Sequence, residues 1–424
     1  MKKLFVKLGE DPTLSLFWNS ILIGFLLLPI SINPSTPFFV IAMLLGAFYN
    51  IKNKSKIDKK DLYFLCLPIL WILLVISLIY TNNIKTGINL ITRMIPIAIF
   101  PLLLLYIREN EDVLRKLFTM LLIGILASMA INLFLAFNNS LSIVESQLIF
   151  DASYEGGFSF YESFNHGGNH FFGTRFSNTI HPTYIALYIL ISLVYFGKNG
   201  IRFKYIVFAV LLVYLFLLSS RAALIVLLSY AFLFIFYFGD KKKRIGLGLL
   251  VLSAVILFIF LNPRTKTFYE RIITFKEKTN YNYTTSEQSR ILIYHTCMEL
   301  IKKHPIMGYG IGDANDVLQE EYTANSYLTL AKKQYNAHSQ FFQTLLQAGI
   351  IAFIILIVPI GLIFFKGLRN PYVLAAIIAF VILMGFESLL VRYNGIIFYA
   401  IIIPLLMRND NEFLKNSLRQ FQKL

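Results

Sequence analysis

Long apolar runs dominate the chain, and short polar stretches separate them. Runs of roughly this length read as membrane-spanning helices. The pattern predicts spans at 14–30, 36–50, 62–80, 88–106, 117–137, 182–197, 204–219, 221–238, 245–262, 345–365, 371–388 and 394–407. The expected fold is therefore all-α: a polytopic membrane protein of about twelve transmembrane helices, with 1–424 forming one integral membrane domain. Two polar stretches interrupt the pattern, at 138–181 and 263–344. The first is rich in Gly, Asn, Phe and His. The second is long and reads as partly helical. In it, Thr284 and Glu287 have capping-box spacing, and Ile291, Tyr294, Met298 and Ile301 recur at helical intervals. Pro305 and Gly308-Tyr309-Gly310 predict a turn that ends this helix. A further helix is predicted from about Asn336, with His338, Phe341, Phe342 and Leu345 on one face where it enters the next span.

Composition agrees with this reading. Of the residues, 57% are hydrophobic and 15% charged, and the mean hydropathy is +0.66. The formal net charge is +16. In a soluble chain that would suggest nucleic acid; here it is topological, and no nucleic-acid partner is expected. With the N-terminus inside, most of the 39 lysines and arginines fall in inside segments, as the positive-inside rule requires. Both termini are then cytoplasmic, and the two long loops lie outside. The N-terminal segment lacks a small-residue cleavage site, so the first span is expected to be retained. The two cysteines, Cys66 and Cys297, cannot make a disulfide framework.

Charges within or beside spans are costly, about 2.5–3.5 kcal/mol at mid-helix, and so are candidates for function. Arg93 lies inside a span, Arg221 between two, and Glu387 and Arg392 flank the last outer turn. Arg175 and Arg290 come from the outside loops. Guanidinium forks suit phosphate oxygens and keep their charge in a poor dielectric. His338, at the membrane edge, has the chemistry to take a proton from a hydroxyl. Each residue also has a structural reading: Arg221 as a span end, Arg93 and Glu387 as a buried pair, Arg392 as an interface snorkeller, Arg175 and Arg290 as solvated loop residues, His338 as an ordinary interface histidine. His166 and His170, near Asp151 and Glu162, are separated by Gly167-Gly168, and no metal or other cofactor is expected.

Four segments resemble the O-antigen ligase/polymerase superfamily. They are Arg175-Phe176-Ser177 with His181-Pro182, Ser219-Ser220-Arg221-Ala222-Ala223, Ser289-Arg290-Ile291 followed by His304-Pro305-Ile306-Met307-Gly308-Tyr309-Gly310, and Asn336-Ala337-His338-Ser339-Gln340 running on to Gly349. Tyr294 stands where the family usually has Trp, and Ser339 where it often has Asn. The resemblance implies a glycosyltransferase of the bacterial inner membrane, moving a glycan from an undecaprenyl diphosphate donor to an acceptor such as lipid A–core. It implies that Arg221 and Arg290, with Arg175, bind the diphosphate, that His338 activates the acceptor hydroxyl, and that Arg93, Glu387 and Arg392 support the site. A polymerase or a protein-glycosylating enzyme of the same superfamily fits the same residues. A lipid-sugar or solute transporter is the reading from another class; the absence of visible repeated halves counts against it.

Overall fold

The computed structural model describes residues 4–7, 11–53, 57, 59–144, 146–159, 162–164, 168–237, 245 and 286–408. These residues are mostly helical. In chain order the elements are α1 (Pro12–Leu27), α2 (Ile32–Asn53), α3 (Cys66–Ile76), α4 (Ile84–Tyr106) and α5 (Glu111–Ser140). A hairpin of β1 (Leu141–Val144) and β2 (Gln147–Phe150) follows. Then come α6 (Gly173–Phe176), α7 (Pro182–Asn199), α8 (Lys204–Leu218), α9 (Arg221–Tyr237), α10 (Ser286–Lys303), α11 (Ala314–Ala324), α12 (Leu328–Lys332), α13 (Gln340–Gly367), α14 (Pro371–Phe386) and α15 (Tyr393–Met407). Short 3-10 turns extend α3 at both ends, giving a helical stretch Asp61–Tyr80.

Among the described residues, five stretches are long and apolar enough to cross a membrane: Ile32–Asn53, Asp61–Tyr80, Ile84–Tyr106, Glu111–Ser140 and Gln340–Gly367. Five shorter apolar helices are α1, α8, α9, α14 and α15. The expected span 245–262 lies, but for Ile245, outside the described residues, as does the capping box at Thr284. Span starts are set by polar caps. Asp11 accepts from the Thr13 and Leu14 amides, Asn83 from Thr86, Asn110 from Val113, and Asn370 from Tyr372 and Val373. Each satisfies amides that the first helical turn leaves without partners.

The chain divides into two compact units, residues 1–46 with 109–267, and 47–108 with 268–424. In the first, α5 packs against α1 and α7, and α7 against α8 and α9. Helix α7 is buried from Pro182 to Phe196, as a helix apolar on every side should be. The buried Tyr214 hydroxyl, 2.9 Å from Ser128 Oγ, also accepts from Asn132 Nδ2 and so joins α8 to α5. The first long loop departs from the all-α expectation. It holds an antiparallel hairpin in the register Leu141↔Phe150 to Val144↔Gln147, and a bridge between Ser153 and Asn169.

In the second unit, α13 packs on α14 and α3, α3 on α4, and α4 on α15. At the C-terminal ends of α4 and α15, buried Asp61 faces Arg408 at 3.4 Å and Arg108 at 3.7 Å, and Arg408 also donates to the Leu104 and Ile107 carbonyls. At the N-terminal end of α4, Asp313 accepts from the Asn82 and Asn83 amides, both at 2.7 Å. That carboxylate ties the start of α11 to the α3–α4 connection. Helices α10 to α12 enclose their own core of Leu292, Ile293, Cys297, Leu300, Leu318, Tyr322 and Leu330.

Candidate active site

The second unit's site is built on a broken helix. Within α13, Ala348 (φ −146°) and Gly349 (φ +70°, ψ −163°) leave helical geometry. Such a break strands carbonyls on one side and amides on the other. The turn after α10 supplies the missing partners: Tyr309 and Gly310 amides donate to the Leu346 and Gln347 carbonyls at 2.7 and 3.1 Å, and the Ile350 amide donates to the Pro305 carbonyl at 3.0 Å. The fit leaves no space for side chains. A Cβ on Gly308 would meet the Leu346 oxygen at 2.5 Å, and one on Gly349 the Ile306 oxygen at 1.9 Å. The underside of the turn is held too, by the Tyr80 hydroxyl on the Met307 carbonyl (2.7 Å) and the Ile311 amide on Ser77 Oγ (3.1 Å). The His-Pro-x-x-Gly-x-Gly stretch is thus a clasp that fixes the first half of α13.

His338 stands just before that half-helix. The sequence places it on the helix; the structure does not. Its φ is +45°, its amide donates to Asn336 Oδ1 at 3.0 Å, and the helix starts only at Gln340, after an extended Ser339. The Asn336 side chain offers the backbone a local turn in place of a helical bond. The imidazole packs edge-on against Tyr335, with ring centres 5.1 Å apart. Its Nδ1 is buried and lies 3.7 Å from Oε2 of Glu387. The His338 side chain keeps 22% of its surface exposed, whereas that of Glu387 keeps 5%. A carboxylate facing Nδ1 favours the proton on that nitrogen and leaves Nε2 as the basic one.

Tyr294 ties the two chain segments that carry this pair. Its hydroxyl donates to the Gly385 carbonyl at 2.8 Å and lies 3.2 Å from the His338 carbonyl. Burial pushes the phenol pKa up, and the nearby Arg290 partly offsets that. Arg290 is one turn earlier on α10, half-buried, with its guanidinium 5.6 Å from the centre of the Phe386 ring. Gln340 adds a further tie, accepting from the Leu390 amide at 2.7 Å. Neither Tyr294, noted in the sequence only where the family usually has Trp, nor Gln340 is among the site residues expected from sequence. The available signal for Tyr294 was its spacing, four residues after Arg290 and on the same helical face.

Arg93 is exposed and donates to the Val391 carbonyl at 3.1 Å, which is not the buried pair with Glu387 of its structural reading. Arg392 is exposed at the start of α15, and its carbonyl receives the Gly395 and Ile396 amides. On α10 the expected apolar face is displaced. Ile291 and Met298 are exposed, while Leu292, Ile293, Cys297 and Leu300 are buried.

Arg175 and Arg221 belong to the first unit. Arg221 opens α9, half-buried. The preceding Ser219 has a left-handed backbone (φ +48°), and Ser220 Oγ accepts from the Ala223 amide at 3.3 Å. Arg175 is exposed, with its guanidinium 3.3 Å from the centre of the Tyr154 ring, a cation–π contact. His170 stacks edge-on to the same Tyr154, and burial, with Arg175 nearby, lowers its pKa. His166 lies outside the described residues.

Residues 206–357 match the family model described as O-Antigen ligase. No curated protein matches the chain. The matched stretch takes in Arg221, Arg290, the clasp and His338.

Proposed function

We propose that this chain, a member of the O-antigen ligase superfamily, transfers a glycan from undecaprenyl diphosphate to an acceptor hydroxyl on the outer side of a bacterial inner membrane, most closely as an O-antigen ligase acting on lipid A–core. The carrying observation is the His338–Glu387 pair: a partly exposed imidazole whose buried nitrogen faces a buried carboxylate. The acceptor hydroxyl attacks the anomeric carbon and gives its proton to Nε2 of His338. The bond from that carbon to the diphosphate oxygen breaks, and the lipid diphosphate leaves with the electron pair. Developing negative charge on a leaving diphosphate calls for fixed cations. Arg290 and Arg221 have that role in this reading, with Arg175 as a further diphosphate contact and Arg93 and Arg392 in support. Both termini are cytoplasmic, which puts the loops at 138–181 and 263–344 on the substrate side.

Arg290→Ala and Arg221→Ala are each expected to lower transfer by about 10²–10³-fold, as removal of one charge-stabilising donor does elsewhere. Lysine at the same positions should restore part of the loss, since it keeps the charge but not the fork. Initial rates with a lipid-linked donor check this; alanine variants with unchanged rates would remove these arginines from the donor site. Ligase and polymerase readings separate in a deletion strain. Full-length polymer retained on the carrier supports the ligase, and a ladder collapsed to a single repeat supports the polymerase.

A further inference from the structure

The hairpin β1–β2 carries an apolar face that its register defines. Leu141 pairs with Phe150 and Ile143 with Leu148, so these four side chains share one side. They are 45%, 50%, 78% and 71% exposed, respectively. On α5, just before the hairpin, Phe134 and Phe137 are 70% and 52% exposed. Phe171 bridges the two surfaces, its ring centre 4.9 Å from that of Phe137 and 6.1 Å from that of Phe150.

The position along α5 says what meets this face. The helix is one of the candidate spans. From Leu117 to Phe137 its sequence is almost wholly apolar, and at 1.5 Å per residue that stretch is about 31 Å long, the thickness of a hydrocarbon core. Asn138-Asn139-Ser140 then marks the polar boundary, and the hairpin starts at the next residue. A two-stranded ribbon has unpaired backbone along both outer edges, which hydrocarbon does not tolerate, and in water alone such a ribbon is marginal. The headgroup–acyl boundary satisfies both demands, wetting the edges while removing the apolar face from water.

We propose that β1–β2 is an interfacial membrane anchor, lying in the headgroup layer at the C-terminal end of α5 with Leu141, Ile143, Leu148 and Phe150 against the acyl chains. The proposal does not depend on the transfer reaction. The test uses the full chain with Cys66→Ala and Cys297→Ala, in nanodiscs holding one copy, in phosphatidylcholine with phosphatidylglycerol. An environment-sensitive fluorophore is attached at Ile143→Cys or, on the opposite face, at Ser142→Cys. The high exposure of Ile143 makes its replacement harmless to folding, which thermal unfolding checks. The label at 143 is expected to emit further to the blue than the label at 142. It should be quenched several-fold more by lipid carrying a nitroxide near the headgroup than by aqueous iodide, with the order reversed at 142. Iodide quenching at 143 equal to that at 142 would overturn the proposal by placing the face in water. Protection of 143 from both quenchers would overturn it by showing protein over the face.

Discussion

His338→Ala is expected to reduce glycan transfer by about 10²–10⁴-fold, the range over which a positioned acid or base contributes. The loss follows from geometry. Nδ1 faces Glu387 at 3.7 Å, so Nε2 is the nitrogen positioned to take the acceptor proton. Alanine also removes the ring that packs on Tyr335. His338→Gln is therefore the companion variant, since it keeps bulk and polarity without a comparable base. Both variants should bind the lipid-linked donor with little change in KM, because the proposed diphosphate contacts are arginines. Glu387→Gln should fall less far than His338→Ala, since it alters the orientation and charge of the imidazole's setting but leaves the base. Steady-state kcat and KM for the three variants, on protein shown to unfold at the wild-type temperature, check this. A His338→Gln enzyme with unchanged kcat would contradict the assignment.

Gly349→Ala is expected to cost about 3 kcal/mol or more of stability. Its backbone lies at φ +70° and ψ −163°, a region essentially confined to glycine. A Cβ there would stand 1.9 Å from the Ile306 carbonyl oxygen, backbone that cannot step aside without releasing the clasp. The effect should reach the site, because the same clasp holds the half-helix that follows His338. Gly361→Ala, later in the same helix, is the control: nothing lies within 4 Å of the added atom, so it should be neutral or stabilising by up to about 1 kcal/mol. Thermal unfolding in detergent, followed by size-exclusion profile, distinguishes the two. Equal melting temperatures would contradict the clasp.

Much of the helical frame is legible in the sequence because apolar runs are a local signal, whereas the Asp and Asn caps that set the span starts are seen only in the structure. The corrections come from tertiary partners that a linear pattern does not reveal. His338 looks helical by its spacing to Phe341, Phe342 and Leu345, yet the Asn336 side chain turns the chain just before the helix. The apolar residues of α10 include an exposed set and a buried set at equally good helical spacing. Packing on α11 and α13 chooses Ile293, Cys297 and Leu300 over Ile291 and Met298. Glu387 was legible as a charge near a span, but its partner was not, because His338 is 49 residues earlier in the chain. The loop hairpin is not legible in the sequence, since its four-residue strands are too short to establish an alternating pattern.

The most direct measurement incubates the purified chain in detergent with an undecaprenyl diphosphate-linked glycan and a lipid A–core acceptor, and follows the release of free undecaprenyl diphosphate alongside the product. Release is expected in step with glycan transferred, dependent on acceptor and lost in His338→Gln. Transfer that continues unchanged in His338→Gln, or no release under conditions where the donor is bound, would contradict the proposed reaction.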